Sequence, residues 1–214
     1  MRKPNAGTGW IFQILFLTCF VAAEPAAAVK PVAKGVMLTN VTYSLKDTGE
    51  KGVKKYTMEA DFQATKDKVC GVICDYYNLN TFMPKDIRSK VLHGSSNRLI
   101  LEVVMDLPWP FEDLKSTLLV RFDKKKAIAR WQKVGGNILR NDGTIEITDR
   151  GDHSHVKQVT YLNIGRYYPG WFIKMYTRTQ TYKIMRAIRG RLEAEERQTA
   201  LPQGFTSQNA EPPN

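Results

Sequence analysis

Pro169-Gly170-Trp171-Phe172-Ile173-Lys174-Met175-Tyr176-Thr177-Arg178-Thr179-Gln180-Thr181-Tyr182-Lys183-Ile184-Met185-Arg186-Ala187-Ile188-Arg189-Gly190-Arg191-Leu192-Glu193-Ala194-Glu195-Glu196-Arg197 reads as one long amphipathic helix. Phe172, Met175, Thr179, Tyr182, Met185, Ile188 and Leu192 recur at three- and four-residue steps, the spacing of a single helix face. Lys174, Arg178, Lys183, Arg186, Arg189 and Arg191 fall largely elsewhere. Pro169 sits where a first-turn proline is tolerated. About 25 helical residues at 1.5 Å each span about 37 Å. So long a helix needs something broad to lie against. The hundred residues before it read as strands, so the expected partner is a sheet.

Working back toward the N-terminus, Val53 to Ala64 is the first strand, with Tyr56, Met58, Ala60 and Phe62 on one face at period two. Thr65 is positioned to cap a helix carrying Val69, Val72, Ile73 and Tyr76 as its apolar stripe. A short second helix spans Leu79 to Met83, and Pro84 ends it. Strands then follow over Ile87–His93, Arg98–Met105, Leu114–Asp123, Ala127–Val134, Thr144–Thr148 and His155–Gly165. Turn residues separate them, including Lys124-Lys125-Lys126, Gly135-Gly136-Asn137 and Asn141-Asp142-Gly143. Short connections imply antiparallel neighbours. The expected fold class is α+β: a curved antiparallel sheet of about seven strands wrapped around a long C-terminal helix, with two short helices after the first strand.

Of the 214 residues, 43% are hydrophobic and 25% charged. That composition excludes a chain disordered throughout. The net charge of +11 points either to a polyanionic partner or to a solvated basic surface. Residues 1–28 read as a secretory signal peptide: Arg2 and Lys3, the apolar run Trp10 to Ala23, then Ala26-Ala27-Ala28 at the cleavage site. Cleavage after Ala23, or retention as an anchor, is the alternative. Removing Arg2, Lys3 and Glu24 lowers the net charge of +11 by only one. Residues 29–52 read as an extended lead-in, 53–197 as the folded domain, and 198–214 as a disordered tail rich in Pro, Gln, Asn and Gly. Export places the chain in the periplasm of a Gram-negative host, or outside the cell otherwise. Asn40-Val41-Thr42 fits a glycosylation acceptor, a short pattern of low specificity. Cys70 and Cys74 lie one helical turn apart, a spacing that favours two buried thiols over a disulfide.

The order of elements, with several local matches, resembles the helix-grip fold of the START-like (SRPBCC) superfamily. Phe62-Gln63-Ala64-Thr65-Lys66-Asp67-Lys68-Val69 resembles its strand-to-helix entry. Asp75-Tyr76-Tyr77-Asn78-Leu79-Asn80-Thr81-Phe82-Met83-Pro84 resembles its segment between the two helices. Leu107-Pro108-Trp109-Pro110 resembles its proline-rich loop, and Val159-Thr160-Tyr161 with Tyr168-Pro169 its last strand and helix entry. The resemblance covers Tyr56 to Glu195 and is nearest to the polyketide cyclase and coenzyme-Q-binding group. Many relatives carry Arg-Asp after the proline-rich loop, where this chain has Leu114-Lys115. The resemblance implies a hydrophobic ligand, such as a lipid, quinone or other isoprenoid, held between sheet and helix. It implies no cofactor.

Trp109, Phe111, Trp131, Tyr161, Trp171, Phe172, Met175, Tyr176 and Thr179 are the candidate ligand-binding residues. The same large side chains also suit a filled core, and the resemblance tips the reading toward a cavity. Arg121 is either a handle for a polar head group or an ordinary outward-facing charge. Trp171 to Thr179 is the expected cavity wall or gate, and Tyr182 to Leu192 the expected packed half.

Catalytic signatures are sparse. His153 and His155 flank Ser154 with only Asp149 and Asp152 nearby, short of the ligand set of an open metal site. No Gly-x-Ser-x-Gly elbow is present, and Gly135-Gly136 lacks the Gly-Lys-Ser/Thr of a phosphate loop. The first expectation is therefore a binding protein without catalytic residues or metal. A cyclase or aromatase acting on a hydrophobic substrate in the same cavity is the alternative, with Tyr161 or Arg121 polarising a carbonyl. The basic residues suit an anionic membrane surface, where each Lys or Arg is worth about 1 kcal/mol, and tryptophans suit its interface. No nucleic-acid motif is present.

Overall fold

The computed structural model describes residues 35–95, 97–165 and 168–200. The expected leader over 1–28 and the segment 201–214 lie outside the described residues. Alternation at period two produces the strand that seats everything else. In β2 (Lys54–Phe62), Tyr56, Met58, Ala60 and Phe62 all point inward and are buried. Thr65 follows at the N-cap position of α1 (Lys66–Ile73), but its side chain makes no capping bond. Val69, Val72 and Ile73 form the buried stripe of α1. Cys70 and Cys74 are free and half-buried. α2 (Leu79–Phe82) leads into β3 (Ile87–Gly94), β4 (Arg98–Met105), β5 (Leu114–Asp123), β6 (Ile128–Gly135), β7 (Arg140–Asp149) and β8 (Ser154–Asn163). α3 (Gly170–Ala200) closes the fold.

The sheet has eight strands, not seven. The added one is β1 (Leu38–Asp47), which the sequence reading leaves in a lead-in outside the domain. β1 pairs antiparallel along the whole of β2. It is an edge strand with few buried side chains, so its composition does not mark it as core. A bulge between Thr39 and Thr42 puts Asn40 at φ 51. There the Asn40 amide donates to Asp61 at 2.6 Å. The acceptor nitrogen of the Asn40-Val41-Thr42 triplet is thus engaged with a carboxylate.

All strand pairs are antiparallel, in the order β1-β2-β8-β7-β6-β5-β4-β3. β7 begins at Arg140 and runs through Asn141-Asp142-Gly143, which the sequence alone suggests is a turn. Gly143 stands opposite Trp131. A Cβ at Gly143 would collide with the Trp131 indole. The glycine is in a strand because a neighbouring ring lies across it.

α3 has 31 residues, about 46 Å of helix at 1.5 Å each. It starts at Gly170, one residue later than the sequence suggests, with the Pro169 carbonyl accepting from Ile173 N at 3.1 Å. The helix also continues through residues 198–200, assigned above to the tail. Its buried residues are Phe172, Ile173, Gln180, Thr181, Met185, Ile188 and Leu192. In the first half, therefore, the inward stripe is not the apolar one expected. Met175 and Tyr182 are 52% and 37% exposed, and Thr179 is exposed. Polar Gln180 and Thr181 face inward instead, because each finds a partner across the interface: Asp86 for Gln180 and Tyr56 for Thr181.

The concave face divides along its length. Met185, Ile188 and Leu192 pack on Met58, Phe62, Val69, Leu101, Ile147 and Val156 in a filled core. Under the first half of α3, the same side of the sheet does not fill.

Candidate functional site

Strand parity builds the site. Inward positions at the end of the sheet near the start of α3 are Val103 and Met105 of β4, Leu114 and Leu118 of β5, and Trp131 of β6. Asn141 of β7 and Gln158, Thr160 and Leu162 of β8 continue the row. α3 covers them with Phe172, Ile173, Tyr176, Thr177, Gln180 and Ile184. Together with Tyr56, Ile138 and Ile164 they enclose a cavity of about 200 Å³. An adjoining void of about 330 Å³ is bordered by Gly52, Lys54, Tyr168 and Gly170. It shares Leu162, Ile164 and Ile173 with the first.

The wall is overwhelmingly apolar, and among the described residues it contains no carboxylate, histidine, lysine or arginine. Most of its polar atoms are paired with each other. Trp131 Nε1 donates to Asn141 Oδ1 at 3.2 Å, and Asn141 Nδ2 to Ser116 Oγ at 3.1 Å. Gln158 Nε2 donates to Thr160 Oγ1 at 3.1 Å. The Tyr43 and Thr177 hydroxyls are 2.9 Å apart. Burial pushes the Tyr56 phenol up to about 12, with the Thr181 hydrogen bond opposing it. Burial also pushes Tyr176 up to about 12. Both phenols are neutral, protonated donors at ordinary pH.

Of the residues singled out in the sequence, Trp131, Phe172 and Tyr176 line the cavity. Phe111 lies behind the wall, its ring 4.2 Å from that of Phe172. The other six lie away from it. Trp109 is 92% exposed and Trp171 67%, because the loop tip and the first turn of α3 both project from the sheet end. Met175 and Thr179 are on the outer face of α3. Tyr161 has odd parity in β8, opposite to inward Thr160 and Leu162. Its ring lies under the Arg140 guanidinium at 5.3 Å. Arg121 is an outward-facing charge, paired in register with Arg98 and Arg130 on the exposed face.

A second void of about 410 Å³ carries Cys70, Cys74 and Tyr76 beside Asp67, Arg98 and Lys124. His155 and His153 each pair with a separate carboxylate, Asp61 at 2.7 Å and Asp152 at 2.6 Å.

Sequence reasoning missed most of the aliphatic wall and its three inward amides, Asn141, Gln158 and Gln180. The usable signal was parity. Once Tyr56, Leu118 and Trp131 are inward, every second residue along each strand is too.

No family model matches the sequence, and no curated protein matches it. Solved structures do. The Zhui aromatase/cyclase from a Streptomyces species superposes with TM-score 0.58 at 11% identity, over 72% of this chain and 99% of that one. A STAR-related lipid transfer protein fragment from Xanthomonas axonopodis gives TM-score 0.52 at 19% identity, over 70% and 98%. A START superfamily protein from Mycobacterium smegmatis gives 0.55 at 11%, over 66% and 98%. At these identities the likeness is one of fold. The chain has the START-like helix-grip architecture that its order of elements resembles, with an eighth strand added at the edge.

Proposed function

We propose that this protein is an exported START-like binding protein that holds a hydrophobic ligand, a lipid, quinone or other isoprenoid, between the sheet and α3 and carries it unchanged. One observation carries the reading: the concave face leaves an apolar cavity of about 200 Å³ where a purely structural protein would fill its core. An apolar cavity of about 150 Å³ stays dry and takes up benzene. A longer ligand extends into the adjoining void past Leu162, Ile164 and Ile173. Among the described residues the wall offers no carboxylate, histidine or lysine for general acid–base work, and this supports carriage. A cyclase-type reaction has the superposed aromatase/cyclase on its side. Among the described residues it would run on hydrogen bonds from phenol, hydroxyl, amide and indole groups.

Loading from a membrane is part of the proposal. Trp109, Trp171 and Met175 project from the cavity end of the molecule, and exposed Lys174 and Arg178 stand beside them on α3. Amphipathic rings and basic side chains suit an anionic bilayer surface. Lys124-Lys125-Lys126 lies at the far end of β5 from the Trp109 loop, so it is assigned no part in this contact.

The test is to extract the purified full chain and identify co-purified lipids by mass spectrometry, then to offer it vesicles of mixed bacterial lipids. A stoichiometric apolar ligand is the expected result. A protein that stays empty in both arms is not a carrier. A ligand recovered chemically altered would favour the cyclase reading.

A further inference from the structure

The outer face of the sheet carries a row of like charges that the cavity does not use. Arg98 of β4 stands directly opposite Arg121 of β5, and Arg121 stands opposite Arg130 of β6. All three are exposed. Neighbouring strands lie about 4.8 Å apart, so the row spans about 10 Å from its first Cα to its last. Like charges directly opposite each other destabilise a sheet. Among the described residues, none of the three arginines forms an ion pair that would offset this. The carboxylates of the next row on this face are engaged elsewhere. Asp123 accepts from Lys126 N at 3.1 Å, and Glu146 and Glu59 flank Lys157.

Charges of this kind guard exposed sheet edges, but β4, β5 and β6 all lie inside the sheet, between β3 and β7. A basic surface kept only for solubility does not need its charges in register, where they repel most. The arginines border a shallow depression of about 320 Å³ together with Asn97, Phe122 and Asp123. Exposed Lys124, Lys125 and Lys126 form the turn from β5 to β6 just beyond it.

The guanidinium fork takes phosphate or carboxylate oxygens two at a time. Spacing separates these two chemistries. Carboxylates on one face of an extended peptide recur every second residue, about 7 Å apart. Linked phosphates carry several charges within the span of the row. A bilayer contact would favour aromatic rings at the surface, and the ring that borders this depression, Phe122, packs against the core. We propose that Arg98, Arg121 and Arg130 form a second binding site, for a compact soluble anion of two or more linked phosphate groups. The site is separate from the cavity and does not depend on what the cavity holds. Occupancy replaces cross-strand repulsion with paired charge, so the bound anion stabilises the fold.

The experiment is calorimetric titration of the full chain with inorganic tripolyphosphate and with orthophosphate, at matched low ionic strength. Tripolyphosphate should bind at least about tenfold more tightly, and it should raise the melting temperature as its concentration rises. Arg121→Gln and Arg130→Gln should each weaken it at least about fivefold. Lys115→Gln removes a charge from the same face of β5 but away from the row, and should change the affinity by less than about twofold. Thermal melts of the anion-free variants check that they fold. Equal affinities for the two phosphates would reduce the row to a diffuse basic surface and overturn the proposal, as would equal losses in Lys115→Gln and Arg121→Gln. It would also fall if tripolyphosphate failed to bind while vesicles containing an anionic phospholipid bound in an Arg121-dependent way, since the row would then belong to a membrane contact.

Discussion

The phenol oxygen of Tyr56 lies 2.7 Å from Oγ1 of Thr181, joining β2 to α3 where the filled core meets the cavity. Thr181 is fully buried, and its own hydroxyl donates to the Thr177 carbonyl at 2.8 Å. The phenol is therefore the donor between the two side chains. Thr181→Val keeps the shape and removes the acceptor. We expect a loss of about 1 kcal/mol, or about 2–4 °C in Tm for a domain of this size. Tyr56→Phe should cost a similar amount, and the double variant less than the sum. Additive melting shifts would show that the two hydroxyls act independently.

The cavity makes a prediction that reverses one drawn from sequence. Helical spacing puts Met175 on the inner face, where Met175→Trp would block a ligand. In the structure Met175 is 52% exposed, so that substitution should change the affinity for an apolar probe by less than about twofold. Val103 is the residue to enlarge. It is half-buried and lines the wall from β4. Val103→Trp places an indole into existing space, so stability should hold while probe affinity falls at least about tenfold; overpacking costs arise where no space exists. Displacement of a fluorescent apolar probe measures both variants. Strong blocking by Met175→Trp with none by Val103→Trp would relocate the site.

Much of the fold was legible because its signals are local. The alternation of Tyr56, Met58, Ala60 and Phe62, and the turns after Asp123 and before Ser154, mark strands whatever lies around them. The extended course of β1 was legible, but its place in the sheet was not, because an edge strand with one face to solvent needs few apolar residues. The start of β7 was hidden by Asn141-Asp142-Gly143, a turn signature in sequence. In space the glycine makes room for Trp131 and the asparagine holds that indole. For the inner face of α3, hydrophobicity misled. Thr177, Gln180 and Thr181 look like a solvated stripe until Tyr43, Asp86 and Tyr56 arrive from distant segments to pair with them. The wall was partly legible for the same reason: aromatic residues announce themselves, but which of two alternating faces they occupy is a tertiary fact.

Acid should weaken the fold through Asp61. Its side chain is 11% exposed. Burial acts to raise its carboxyl, yet hydrogen bonds from Asn40 and His155 prevail and hold it below the usual aspartate range. A carboxylate depressed in the folded state contributes stability that is fully present above its unfolded value, near 3.9. That contribution is lost as pH falls through the lower folded value. We expect denaturant midpoints to be flat above about pH 5 and to decline below about pH 4. Asp61→Asn should lower the plateau and flatten the decline. An unchanged acid limb in that variant would assign the effect elsewhere, with Asp86 the next carboxylate to substitute.

Cys70 should be the reactive thiol of its pair. The Cys74 thiol, one turn along α1, stabilises the Cys70 thiolate by hydrogen bonding and holds it at about 7, against the opposing effect of burial. The same contact, together with burial, pushes Cys74 far above the usual thiol range. Since the thiolate is the nucleophile, alkylation should fall on Cys70 first, with a midpoint about 1–2 pH units below that of an ordinary cysteine. Cys74→Ala removes the donor and should move the midpoint up toward the ordinary value while leaving Cys70 accessible from the void it borders. Mass spectrometry of the peptide carrying both positions, after short iodoacetamide pulses from pH 5 to pH 10, resolves the order. Preferential labelling of Cys74, or a Cys70 midpoint that Cys74→Ala does not move, would show that the two thiols do not share a proton in this way.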